Sequence, residues 1–562
     1  MHKITGKYSF RIAAAGVIVA GAAVGGTVAL SGAAAAAVAV PCSSSSLISA
    51  ISTANTTPAD DSLSLTSGCV YSFTAADNAT DGGNALPVIT GSVSIAGNGA
   101  TITRSGSTAF RLFDVASAGS LSLSDVTLSN GLAAGTAGGG AVFNHGPLSV
   151  TSTTFSGNTS TATATSGGAI NSSGPLTVSL STFTGNTAVE GGGIFNESTG
   201  AAATITDTTF SGNTATTFGG GAIVSADGTT NLARDTFSGN NATGTAGGGA
   251  IDNDAAVNVT NSTFNGNTAG TNGGGAIQNF GTMAITWSTI SGNNSAFGAD
   301  LHNDTTGSLT VAETIVANGG GGGSNCSGTP AVVDGGYNID TGTSCGFSTA
   351  NHSKPSTNPA LGPLASNGGP TQTMALPSGS PAVNAVPVSV TGCSGSTDQR
   401  GVSRPQGIAC DIGAYELAMA SPSPSPSPTP TTSSPPPPGG RIVGYAGKCL
   451  DNFRNSTADR NKIDIWDCNG TAAQRFVYTS NGELQVNGKC IDDRAFGHSG
   501  TGIVLFTCNG GSNQRWIHTG GAYVLVFRHL CLDDPAFSKK NGTQVIVYYC
   551  NSGANQKWSL PA

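Results

Sequence analysis

Between Leu121 and Asn303 the apolar residues fall into short alternating runs separated by glycine. Leu148/Val150, Leu176/Val178, Val257/Val259 and Met283/Ile285 each alternate with polar residues, the two-residue period of a half-buried strand. Shortly after these runs stand Phe155, Phe183, Phe210, Phe237 and Phe264, spaced almost evenly along the chain. Leu128 holds the equivalent place one repeat before the first, and Ile290 the equivalent place one repeat after the last. Each of these positions is followed three residues on by Asn, at Asn158, Asn186, Asn213, Asn240, Asn267 and Asn293 in the run from Phe155. A glycine-preceded Ala-Ile pair opens most repeats, as at Ala169-Ile170, Ala250-Ile251 and Ala276-Ile277.

A period near 27 made of short β segments and turn residues predicts a parallel β-helix solenoid. The β-branched and Thr-rich segments argue against a helical repeat. With coils stacked about 4.8 Å apart, the Phe column becomes one interior stack and the Asn column a hydrogen-bonded ladder along a turn. Small residues fit because the interior is narrow.

Composition changes the picture in one respect. Charged residues are 9% of the chain and glycine is 83 of 562, far from ordinary globular usage. A formal net charge of −8 argues against a nucleic-acid partner.

At the N-terminus Lys3, Lys7 and Arg11 precede an apolar run from Ile12, and small residues follow from Ala33 to Val40. This is the pattern of a cleavable export signal, assigned to 1–40, with an uncleaved anchor as the alternative. Its three cations go with it, leaving a more acidic remainder. The twelve Cys are an even number with pair-like spacings, which fits an oxidising, extracellular compartment. No C-terminal apolar tail is seen, so no membrane association is expected after cleavage. The tract Ser421 to Pro438 is nearly all Ser, Thr and Pro. It cannot form helix or ladder and predicts an extended spacer of about 50 Å at ~3.1 Å per residue. The expected domains are a β-helix over 41–417, a linker over 418–440 and a separate domain over 441–562.

The paired motifs Gly248-Gly249-Ala250-Ile251 and Phe264-Asn265-Gly266-Asn267 resemble the repeats of chlamydial polymorphic outer-membrane proteins, whose β-helices are right-handed. That resemblance covers roughly Leu121 to Asn303 and implies fold more than function. The stretch Asn358 to Ala385, with "DQRGVSRP" (Asp398 to Pro405) and "DIGAYE" (Asp411 to Glu416), resembles the choice-of-anchor Q domain, placed at about 326–417. Asn384 stands where that family usually has Asp. Asp398, Arg400, Asp411 and Glu416 are read as an ion-pair network closing the solenoid end, catalysis being the alternative. Cys393 with Cys410, Cys326 with Cys345 and Cys42 with Cys69 is one of the connectivities open to these six.

The last region has a longer period of its own. Cys449, Cys490 and Cys531 are evenly spaced, and each is followed within its repeat by a second Cys, at Cys468, Cys508 and Cys550. Each first Cys opens a Cys-hydrophobic-Asp triplet, at Asp451, Asp492 and Asp533, and each repeat ends near Gln-x-aromatic. These three repeats resemble the ricin-type β-trefoil lectin, over the whole of 441–562. The resemblance implies a sugar pocket in each repeat, and the residues suit one. A pyranose stacks its C–H face on an aromatic ring, while carboxylate and amide groups serve its hydroxyls. The third repeat offers Asp533, Tyr548, Asn555 and Gln556; the second Asp492, Phe506, Asn513 and Gln514; the first Asp451, Trp466 and Gln474, with Ala473 replacing the Asn. Competence is therefore expected to fall from third to second to first. Phe476, Trp516 and Trp558 are assigned to the core.

On the solenoid, Asp207 and Arg234 each lie three residues before their Phe and should pair between adjacent coils. Glu197, Asp227, Asp252 and Asp254 follow Ile194, Ile223 and Ile251 in three successive coils. Such acids could bind Ca²⁺ or act as a glycosidase pair. The preferred reading is that Asp suits the turn, since no Arg or Lys base of the lyase kind accompanies them. No cofactor and no metal spacing is indicated. The sequence thus predicts a secreted, monomeric, all-β protein that binds a galactose- or xylose-containing glycan through its trefoil. The alternative is an extracellular polysaccharide lyase or glycoside hydrolase with the β-helix as catalytic domain.

Overall fold

The computed structural model describes residues 37–562 apart from 58–60, 164–165, 246, 296–299, 320–323, 419–438, 480–481, 495–498, 520, 526–529, 552 and 562. Residues 1–36 of the expected leader and nearly all of the Ser/Pro spacer lie outside the described residues. The first strand, Val38–Val40, pairs in parallel with Leu63–Leu65, so the last residues of the span assigned to the leader are part of the folded solenoid.

The solenoid is a stack of parallel coils. Its strands form three sheets, of 21, nine and six strands. Register holds from coil to coil: Phe155, Phe183, Phe210, Phe237, Phe264 and Ile290 are successive partners. The five Phe rings are fully buried, with centroids 4.5, 4.8, 4.9 and 4.5 Å apart and planes within 13° of parallel. Offset or parallel ring contacts add to the area the rings bury, so one residue type repeated once per coil builds a continuous core.

The Asn column is equally regular. Asn213 Nδ2 donates to Asn240 Oδ1 at 2.9 Å, Asn213 N–H donates to the same oxygen at 3.1 Å, and Asn240 Nδ2 also donates to Phe210 O at 3.0 Å. The pattern runs from Asn158 to Asn293, where Asp300 Oδ1 receives the last amide at 2.7 Å. The preceding glycine takes a positive φ at each turn, +61° at Gly212 and +62° at Gly239, which a side chain resists. A second inward column, Asn253, Asn279 and Asn303, is linked Nδ2 to Oδ1 at 2.7 and 2.8 Å. Asp207 and Arg234 form the expected inter-coil pair, with two bonds of 2.8 and 2.6 Å.

At the N-terminal end, the helix Ser44–Ala54 is capped by Ser43 and buries Leu47, Ile51 and Ala54. Residues 358–417 do not close the opposite end, as the sequence suggested. They run along the flank of the coils. Gln399 Nε2 donates to Asp235 O at 3.1 Å, Thr263 Oγ1 donates to Gln399 Oε1 at 2.6 Å, and Ala414 N–H donates to Thr289 Oγ1 at 3.0 Å. The charged residues there are structural: Arg400 pairs with Asp398 at 2.7 Å and Arg404 with Glu416 at 2.9 Å, all four buried. Asp411 accepts from the backbone N–H of Asn384 at 2.7 Å. The disulfides Cys42–Cys69, Cys326–Cys345 and Cys393–Cys410 are formed.

The C-terminal domain consists of short antiparallel sheets around one core that includes Phe476, Trp516 and Trp558. Its three disulfides, Cys449–Cys468, Cys490–Cys508 and Cys531–Cys550, each close a loop of one repeat. Loops of this length contribute roughly 3 kcal/mol each on the chain-entropy view.

Candidate functional site

In each repeat of the C-terminal domain, the strand bearing Cys-x-Asp pairs with the strand bearing the aromatic. Cys449 lies opposite Trp466, Cys490 opposite Phe506 and Cys531 opposite Tyr548. The disulfide pins one end of this hairpin. The Asp two residues further on and the ring are thereby held at fixed spacing beside the 3₁₀ turn that carries the amides.

The amide geometry is the same three times over. Gln556 Nε2 donates to Asp533 Oδ2 at 2.7 Å and to Tyr549 O at 2.9 Å, while its Oε1 accepts from Asn551 N–H at 2.9 Å. Gln514 does this between Asp492, Thr507 and Asn509, and Gln474 between Asp451, Asp467 and Asn469. Every polar atom of each Gln side chain is engaged and the side chain is buried. The Gln therefore acts on the Asp rather than presenting a free edge. Asn555 and Asn513 add a second bond to the same Asp oxygen, both at 2.9 Å. Oδ1 of each Asp has no donor among the described residues and remains available as an acceptor.

Burial raises all three carboxyls, Asp492 to about 6, and the amide hydrogen bonds pull against it. The rings on the facing strands are open to solvent, Trp466 at 38% and Tyr548 at 43% exposure, with Phe506 half-buried. A buried acceptor, a fixed amide and a ring on the facing strand are groups that hydroxyls and a flat apolar face can engage.

The first repeat also has a feature of its own. The first repeat carries a cavity of about 660 Å³ lined by Asp451, Phe453, Trp466, Thr471 and Ala473. Ala473, where the others have Asn, is part of its wall. Phe453 is flanked by Arg454 and Lys462 at 5.0 and 4.4 Å from its centroid. Phe453 and Arg454 had no signal in the sequence, because they come from the turn after Asp451. In the third repeat, Phe537 occupies the corresponding turn and packs edge-on against Tyr445 at 5.3 Å.

On the solenoid the four acids separate. Glu197, Asp227 and Asp254 lie just after their strands, as turn formers would. Asp252 does not: it is the middle residue of the strand Ile251–Asn253, between Val224 and Gln278 of the neighbouring coils. The turn reading therefore fails for Asp252, because a central strand position needs no Asp. Its side chain is buried and its pKa is raised well above the ordinary value, first by desolvation and then by Asp254, Glu190 and Asp304. Glu190 and Asp304 belong to other coils and were invisible to sequence spacing. Burial first raises the Glu197 carboxyl, with His145 pulling it down and Asp227 pushing it up.

Comparison with known proteins bears on the C-terminal domain. A family model for the ricin-type beta-trefoil lectin domain matches residues 438–558. Serine protease 1 of Rarobacter faecitabidus is 36% identical over 118 residues, covering 13% of this chain and 22% of that protein. The ribosome-inactivating protein PMRIPt of Polygonatum multiflorum is 31% identical over 69 residues, 12% of this chain and 11% of its own. The chain thus spans about a fifth and a tenth of these relatives. Among solved structures, the designed threefold-symmetric protein ThreeFoil is similar at 27% identity and a TM-score of 0.20, over 22% of this chain and 97% of its own. The chain is all-β, a parallel β-solenoid followed by a ricin-type β-trefoil domain.

Proposed function

We propose that this is a secreted carbohydrate-binding protein whose trefoil holds the solenoid at a galactose- or xylose-containing glycan, acting as a monomer. The observation that carries the reading is the unit of buried Asp and Gln strut repeated in all three lobes, faced by an exposed ring in the first and third and a half-buried one in the second. Six disulfides suit an extracellular setting. Among the described residues no helix is long and apolar enough to cross a membrane.

Three pockets on one domain raise avidity for a polymer even when each sugar is held weakly. The test is retention of the full chain on immobilised galactoside and on xylan. The intact protein should be retained and eluted by the free sugar, and the combined Asp451→Ala, Asp492→Ala, Asp533→Ala variant should flow through. Equal retention of a folded triple variant, or no retention of the intact protein on either matrix, would overturn the proposal.

A further inference from the structure

The trefoil rests against the solenoid. Tyr549 Oη donates to Asn98 Oδ1 at 3.5 Å, and Arg515 Nη2 donates to Gly401 O at 2.6 Å. Between the third lobe and the early coils lies a cavity of about 590 Å³, with Ser64, Asn98 and Asp125 on the solenoid side and Ser499, Tyr548 and Tyr549 on the trefoil side. A second space of about 450 Å³ adjoins it, since Asn98, Asp125, Ser499 and Tyr549 wall both. Each is within the size range of small-ligand sites, about 300–1,000 Å³.

The two sides offer different chemistry. On the trefoil, Tyr548 and Tyr549 are exposed, with ring centroids 5.9 Å apart and planes near edge-to-face. Tyr548 is the ring of the third lobe, and an exposed ring is the platform a pyranose stacks on. In the first lobe the equivalent ring, Trp466, shares its cavity with Asp451. On the solenoid, Ser124, Thr151 and Ser179 are register partners in three successive coils and line the second space. They form a row of hydroxyls about 4.8 Å apart. Asp125 is the one charged residue among those lining either space, and it is half-buried. A lone carboxylate on a wall of hydroxyls and amides accepts from the hydroxyls of a neutral sugar and repels a uronate.

We propose that this junction continues the third-lobe sugar site, so that a neutral oligosaccharide stacks one sugar on Tyr548, runs on along the hydroxyl row and is held by Asp125. The proposal rests on the carbohydrate-binding reading of the trefoil and adds the solenoid as the part that reads chain length. A monosaccharide on Tyr548 is served by the trefoil alone, whereas each further sugar meets the hydroxyl of the next coil. Neither hydrogen bond that docks the trefoil involves Asp125, so removing its side chain tests recognition and leaves docking in place.

The full chain carrying Asp451→Ala and Asp492→Ala keeps one lobe and can be titrated calorimetrically with galactose, xylose, galactotetraose and xylotetraose. One tetrasaccharide should bind at least about tenfold tighter than its monosaccharide. Asp125→Gly, which suits the φ of +50° there, should cost about tenfold in tetrasaccharide affinity, the size of one hydrogen bond to a charged group. It should leave the monosaccharide unchanged. Asp125→Asn also tolerates that φ and decides the matter if Asp125→Gly lowers Tm; it should lose several-fold on the tetrasaccharide alone. A tetrasaccharide bound no tighter than its monosaccharide, or one unaffected by these substitutions in a folded chain, would overturn the junction and leave the lectin reading standing. No binding of any of the four sugars by the intact chain would overturn both.

Discussion

Gln556 Nε2 lies 2.7 Å from Asp533 Oδ2, and the remaining polar atoms of that Gln are bound to backbone. The Gln thus positions the Asp, and each of its own polar atoms is already engaged within the chain. Gln556→Ala should weaken third-lobe sugar binding less than Asp533→Ala does, while lowering stability more. Removing the Gln leaves the Asn551 N–H and the Tyr549 carbonyl unserved, at about 1–3 kcal/mol. Titration calorimetry in a background lacking Asp451 and Asp492 measures the first effect, and denaturant unfolding the second. Equal loss of affinity in both variants would assign the Gln to direct contact.

The Asn ladder should be among the most sensitive features of the solenoid. Asn240→Ala removes the acceptor for Asn213 N–H and Nδ2 and the donor to Phe210 O, all buried. Stranding these groups costs about 3 kcal/mol or more in sum. By contrast, Asp207→Asn weakens a partly exposed ion pair worth ~0–1 kcal/mol. Thermal unfolding of the two variants should show a large shift for the first and a small one for the second.

Stability should fall as pH rises from 5 to 8. Burial lifts Asp114, Asp492 and Asp534 to about 6, and Glu313 and Glu416 to about 7. An unfolded carboxyl titrates near 4, so between these values the folded chain binds more protons than the unfolded one. The contribution is fully present below about pH 4 and is lost as pH climbs through 6 to 7. Differential scanning fluorimetry should give a Tm several degrees higher at pH 5 than at pH 8; the reverse order would contradict the assignment.

Binding should move the other way at the second lobe. An ionised Asp492 is a stronger acceptor for hydroxyls than a protonated one, so on the proposed reading affinity there should decline below pH 6. A variant carrying Asp451→Ala and Asp533→Ala isolates this lobe. A flat affinity between pH 7 and pH 5 would remove Asp492 from the pocket.

The coils were legible because a solenoid writes each structural column into the sequence at one fixed spacing, so Phe264 and Asn267 announce themselves by repetition. The same regularity misled at Asp252. Its neighbours Asn253 and Asn279 point inward as a second ladder, which puts Asp252 on the outer face of a strand rather than in a turn. The influence of Glu190 on Asp252 was missed because Glu190 comes from another coil, and no spacing rule links the two. In the trefoil, Cys, Asp and Gln were legible from their even threefold recurrence. The first-lobe cavity was not, since part of its wall, Phe453 to Asn455, comes from a turn outside the recurring motif.

The flank segment acts as a splint. Gln399 and Ala414 bind coils at Asp235, Thr263 and Thr289, and Arg404 stacks on Trp287 at 4.7 Å. Coils from Asp235 onward are therefore indexed to one strap of fixed length and cannot gain or lose a member without breaking those contacts. The Asn ladder behaves differently: Asn186 and Asn213 give and receive the same bond on either side, so the ladder by itself would close again around an added or removed turn, but the trefoil contacts of Tyr549 Oη with Asn98 Oδ1 and of Arg515 with Gly401 O would not. The strap thus sets the number of the later coils, while the earlier ones, each about 4.8 Å deep, are held in number by what docks on them rather than by their own ladder.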